Sequence, residues 1–76
     1  MLVFFKRSED ARWEPLRCSL SARTRFDLYE ACYKGRHLMR QEGCTEVKVV
    51  DDQGTITARF YRNETGAILQ DGGISP

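Results

Sequence analysis

Residues 27–43 carry the full set of helix signals, and this is the stretch that most restricts the fold. Asp27 is an N-cap residue, and Glu30 stands three positions on, the spacing of a capping box. Phe26 and Ala31 fall at the two positions of a hydrophobic staple. Gly43 is a natural C-terminal stop, so the spacing predicts a helix over residues 28–42. Leu28, Ala31, Cys32, Gly35, Leu38 and Met39 recur at i, i+3 and i+4 and form one buried stripe. Gly35 inside that stripe costs ~1 kcal/mol against alanine, which predicts that a strand packs closely there. Arg36, His37 and Arg40 sit toward the C-terminal end, where cations suit the helix dipole.

The flanking sequence supplies strands for that stripe to lie on. Residues 2–7 are rich in Val and Phe, with Leu2 and Phe4 on one face and Val3 and Phe5 on the other. Apolar side chains on both faces predict a central strand. Residues 12–20 read as a second strand, placed at an edge by Pro15, which has no N–H to give. Residues 45–50 and 55–61 alternate as a hairpin around the turn at residues 51–54. Beyond Arg62 the alternation fades, and residues 63–76 are expected to be a partly flexible tail. The reading is one α+β domain over residues 1–62. It is an antiparallel four-stranded sheet with one helix packed on one face, β-β-α-β-β, in strand order 2-1-3-4 along the chain.

At 76 residues the chain is one domain, and a core of this size supplies only ~3–5 kcal/mol, so oligomerisation would help it. No apolar run approaches the ~18 residues of a membrane span, so no membrane partner is expected. The apolar-then-basic start has the reverse order of a secretory signal. Cys18, Cys32 and Cys44 are odd in number and widely spaced, which points to reduced thiols and a cytoplasmic location. The net charge of +1 divides unevenly, +4 over residues 1–41 and −3 over residues 42–76. Arginine outnumbers lysine nine to three, which suits forked contacts to carboxylate or phosphate but is better explained as the mark of a GC-rich genome.

Several segments together resemble a family of short bacterial proteins of unknown function with a β-β-α-β-β plan. They are Trp13 to Leu16, Phe26 to Ala31, Gly35 with Arg36, Gly43, Glu46 to Val50 and Asp52 to Ile56. The resemblance implies a fold and no activity. The arginine- and tyrosine-rich helix and the tail depart from it.

No set of residues makes a convincing catalytic or metal site. Cys18, Cys32, Cys44 and His37 lack any close ligand pair, so no metal or other cofactor is expected. His37 falls on the helix face opposite the stripe that holds Cys32, which argues against Cys–His catalysis. Asp51 and Asp52 have the place of turn formers. Gly72 and Gly73 follow no strand and open no helix, so they are not a phosphate loop. The chain is therefore expected not to be an enzyme.

Two surfaces remain as candidates. Tyr29, Tyr33, Arg36 and Arg40 fall together on one flank of the helix, and these residue types are enriched at binding hot spots. The plain alternative is that the tyrosines skirt the sheet and the arginines pair with nearby acids. The second surface is the sheet face away from the helix, with Lys48, Val50, Thr57, Arg59 and Tyr61, joined by Val3 and Phe5 if they turn that way. Phe5, Lys48, Arg59 and Tyr61 there could stack and pair with nucleic acid, or the face could close a homodimer. Ile68 and Leu69 could also simply cover it. The leading expectation is a non-enzymatic protein-interaction module, such as a bacterial or phage accessory or inhibitor protein, with nucleic-acid binding second.

Overall fold

The computed structural model describes residues 1–19 and 22–74, and for residues 18, 19, 22 and 23 the backbone alone. Chain order is β1 (Leu2–Lys6), β2 (Glu14–Pro15), β3 (Arg17–Ser19), β4 (Ala22–Arg23), α1 (Leu28–Gln41), β5 (Glu46–Val50), β6 (Ile56–Arg62) and β7 (Ile68–Gly72). The main sheet runs β2-β1-β5-β6-β7, antiparallel throughout. β3 and β4 pair with each other as a separate small ribbon.

The class is α+β, with the helix packed on an antiparallel sheet. The sheet has five strands where four are expected. The run β2-β1-β5-β6 has the expected order of the four foreseen strands, and β7 is added outside β6. The added strand comes from residues expected to belong to a tail. Asn63 reverses the chain: its Oδ1 accepts from the N–H groups of Thr65 and Ala67 at 3.0 and 2.9 Å, a local side-chain turn. Arg62 then donates to the Gly66 carbonyl at 3.1 Å, and β7 pairs with β6 from Ile68 opposite Arg62 to Gly72 opposite Ala58.

The second strand also differs from the expected continuous run over residues 12–20. Only Glu14 and Pro15 pair with β1, and the Leu16 N–H reaches the Val3 carbonyl at 2.8 Å. The chain then leaves for the β3–β4 ribbon and returns along the same edge, where Leu2 bridges Arg25 and the Phe26 N–H donates to the Met1 carbonyl at 2.9 Å. The expected core positions at Cys18 and Leu20 lie outside the described side chains.

The helix is where its caps predict. The Asp27 carboxylate accepts from the Glu30 N–H at 2.7 Å, and the Cys44 N–H returns to the Leu38 carbonyl through Gly43 at φ 67°. Its stripe lies on the sheet face made by Val3 and Phe5, Val47 and Val49, and Ala58 and Phe60. Phe60, Met39, Val3, Val47 and Val49 are all under 2 % exposed. Ala31 and Cys32 are fully covered beside them, and Phe26, Leu28 and Ile68 pack around this centre. Gly35 is buried, and a Cβ built there would stand 2.6 Å from Phe60 Cε1, so the helix and β6 touch where a side chain is missing. No helix among the described residues is long and apolar enough to cross a membrane.

Candidate functional site

The helix flank is one patch with one member withdrawn. Tyr29 and Tyr33, one turn apart, are 62 % and 57 % exposed, and Arg40 is exposed beyond them. Arg36 is not a free binding group, contrary to the expectation from the helical wheel. Its Nη1 donates to Gln70 Oε1 at 3.2 Å and to the Ile74 carbonyl at 2.9 Å, so it lashes β7 and the residues just after it to the helix. The reason is β7, which brings Gln70 to the seam that the wheel treats as open surface. What remains is a tyrosine pair between two shallow hollows. One, about 340 Å³, is bounded by Tyr29, Glu30, Tyr33 and Lys34. The other, about 190 Å³, is bounded by Tyr33, Arg36, His37, Arg40 and Gln41.

The sheet face away from the helix holds a different set from the expected one. Phe5 is only 6 % exposed and belongs to the core under the helix. The alternation of β1 puts its neighbour Phe4 on the open face. Val50 is likewise buried, at 7 % exposed. Lys48, Arg59 and Tyr61 do come together there. Lys48 stands directly opposite Arg59, and Phe4 opposite Lys48. Trp13, absent from the expected set, completes the group, with Lys48 Nζ 4.3 Å and Lys6 Nζ 5.5 Å from its ring centroid. Lys48 Nζ is also 5.6 Å from the Phe4 ring centroid. The Arg59 guanidinium lies 4.5 Å from the Tyr61 ring centroid and pairs with Glu46 at 3.0 Å. Ile68 packs into the core, and Leu69 lies opposite Tyr61 with 39 % of its surface exposed, so the last strand extends this face instead of covering it. The signal for Trp13 was its period-two spacing from Pro15, which pairs with Phe4.

A third hollow, about 240 Å³, has Leu16, Phe26 and Leu38 in its wall and Lys34, His37 and Glu42 at its rim. Thr24 Oγ1, buried and without a hydrogen-bond partner among the described residues, lies there too.

Cys32 and Cys44 are buried free thiols. Among the described residues no three His, Cys, Asp or Glu side chains gather as a metal group. Burial pushes the Cys44 thiol above its ordinary pKa, against a smaller opposing pull from Arg7. The sign follows directly: the fold favours the protonated thiol. This contribution to stability is whole below the ordinary thiol pKa of about 8.5 and is lost as pH rises through the higher folded value. Cys44 is therefore expected to resist alkylation at pH 8 in the folded protein and to react at the rate of a free thiol in denaturant. Mass mapping of the alkylated cysteine checks this, and equal labelling in both states would contradict it.

Comparison with protein-family models, with curated proteins and with solved structures finds no match.

Proposed function

We propose that this chain is a non-enzymatic protein-interaction module that docks through the flank of α1. One observation carries the reading. Two tyrosines one turn apart are more than half exposed, while the core beneath the helix is complete without them. Tyrosine offers large contact area with few rotamers to freeze, and Lys34 and Arg40 border the pair with positive charge. The partner surface that fits is apolar at its centre and acidic at its margin. A small accessory or inhibitor protein of bacterial or phage origin, working in the cytoplasm where Cys32 and Cys44 stay reduced, is the setting this reading favours.

The test uses Tyr29→Ala with Tyr33→Ala, since Arg36 is needed to hold the chain end. The variant should keep its Tm within a few degrees. It should bind the partner at least ~30-fold more weakly, because a hot-spot truncation costs ~2 kcal/mol or more. A photo-crosslinker at position 33 should capture the partner, and one at exposed Gln53 should not. A variant that unfolds would show the tyrosines to be structural. A folded variant that binds at full strength would rule out the flank.

A further inference from the structure

We infer that the open sheet face binds single-stranded nucleic acid, by an exchange in which Lys48 and Lys6 leave the ring of Trp13 for phosphates while a base takes their place. This surface is on the opposite side of the sheet from the tyrosine flank and stands or falls independently of it.

The first observation is the pairing of two cations at the centre of the face. Lys48 and Arg59 are direct cross-strand partners. Like charges placed opposite one another destabilise a sheet by a few tenths of a kcal/mol or more, which leaves the pair receptive to an anion even with Glu46 beside Arg59 and the Trp13 ring beside Lys48. An anion above the pair removes the repulsion. Arg59 has Glu46 as partial relief. Lys6 and Lys48 have no carboxylate within ion-pair distance among the described residues, and both rest on the Trp13 ring.

The second observation is that aromatic rings flank this cationic centre on both sides. Phe4 and Trp13 lie on the β1–β2 side and Tyr61 on the β6 side. Beside them is a polar hollow of about 320 Å³ bordered by three cations, Lys6, Arg59 and Arg62, by Thr45 and Tyr61, and by the carboxylates of Glu9 and Glu46. Phosphates suit the centre and bases suit the flanks, which is how sheets that read single strands divide the work. A ligand that is anionic and planar at once uses both parts. A duplex keeps its bases stacked inside and can use only the charges. A second copy of this chain would bring Lys48 and Arg59 against their own like charges, which disfavours self-association through this face.

Trp13 is the only tryptophan in the chain, so its fluorescence reports on this face alone. The full chain is titrated at low salt with a thymidine oligomer of about 12 nucleotides, a length within the site sizes of sheet-based binders. The same oligomer as a duplex, inorganic polyphosphate and poly-glutamate serve as comparisons. Saturable quenching by the single strand, with weaker binding of duplex, polyphosphate and poly-glutamate, is expected. In the double variant Lys6→Ala, Lys48→Ala the slope of log affinity against log salt should flatten by about 1.4, from two lost phosphate contacts at about 0.7 each. Lys48→Gln alone should flatten it by about half that, which keeps the test usable if the double variant is unstable. Tyr29→Ala with Tyr33→Ala should leave the titration unchanged.

Absence of quenching up to ~100 µM oligomer, the weak end of non-specific binding, would overturn the inference. So would equal binding of polyphosphate, which would make the face a general anion site. Preferential binding of poly-glutamate would assign it to an acidic protein partner. A folded Lys48→Gln variant with an unchanged salt slope would equally sink it.

Discussion

Gly35→Ala is expected to destabilise the protein, although alanine is the better helix former by about 1 kcal/mol. The new Cβ would sit 2.6 Å from Phe60 Cε1 and 2.9 Å from Cδ1, well inside contact distance. The Phe60 ring cannot swing away, because it is fully buried on β6. Relief must come from lifting the helix off the sheet, which spreads the strain over Val47, Met39 and Cys32. Overpacking of this kind costs about 1–3 kcal/mol, enough to outweigh the propensity gain. The net loss expected is up to about 2 kcal/mol, or as much as roughly 8–16 °C in Tm for a chain of this length. A thermal melt of the variant checks it. Gly35→Ala combined with Phe60→Leu should cost less than the sum of the two single changes, since the smaller side chain vacates the contact. A stabilised Gly35→Ala protein would show that the helix and β6 are not in close contact at this point.

Gly73→Ala is expected to undo the end of the chain. Gly73 has φ 74°, a conformation that costs an L-residue about 1–2 kcal/mol. Its Cβ would also meet Cys32 Sγ at 2.7 Å and Ala58 Cβ at 2.8 Å. Both obstacles are core atoms, so the segment must move instead. Moving it breaks the hydrogen bonds from Arg36 and Gln70 to the Ile74 carbonyl, at 2.9 and 3.0 Å, and the contact of the Ile74 N–H with Cys32 Sγ at 3.5 Å. The expected loss is about 2–3 kcal/mol from strain and lost hydrogen bonds together. Cys32 provides a separate readout. It is covered in the native chain and should become open to alkylation in the variant before global unfolding. Gly66→Ala makes the control, since Gly66 has the same kind of positive φ, 85°, but a Cβ there meets nothing within 4 Å. If the two variants melt alike and Cys32 stays protected in both, the packing of the chain end contributes nothing to stability.

The helix was legible because its information is local: a cap, a stop and a stripe of six residues with a single gap-forming glycine. β1, β2, β5 and β6 and their order were legible for a related reason, since residues 2–5 are apolar on both faces and Pro15 marks an edge, while the β3–β4 ribbon that interrupts the expected run over residues 12–20 was not. β7 was not, because only Ile68 of its five residues reaches the core and Gln70, Asp71 and Gly72 break any alternation. It is a strand through its pairing with β6, which no period in its own sequence announces. The same long-range cause hid the role of Arg36. A helical wheel places it beside the tyrosines, while its partners Gln70 and Ile74 lie 34 and 38 positions away. Phe4 and Phe5 could not be told apart by pattern, since each belongs to an apolar set. The helix chose between them by covering one face.

Arg36 has a counterpart. Arg62 on β6 reaches across to the Met39 carbonyl at 2.6 Å and to the Gly66 carbonyl at 3.1 Å. One guanidinium runs from the helix to the end of the chain, and the other from the sheet to the helix and the β6–β7 loop. The helix and the last hairpin are thus sewn together at both ends of their shared seam. Neither can open without releasing a charged group from backbone carbonyls it satisfies. In a chain with so small a core, this makes α1, β6 and β7 one cooperative unit. Part of the arginine excess is accounted for in this way, as internal stitching that a count of surface charge would assign to a partner.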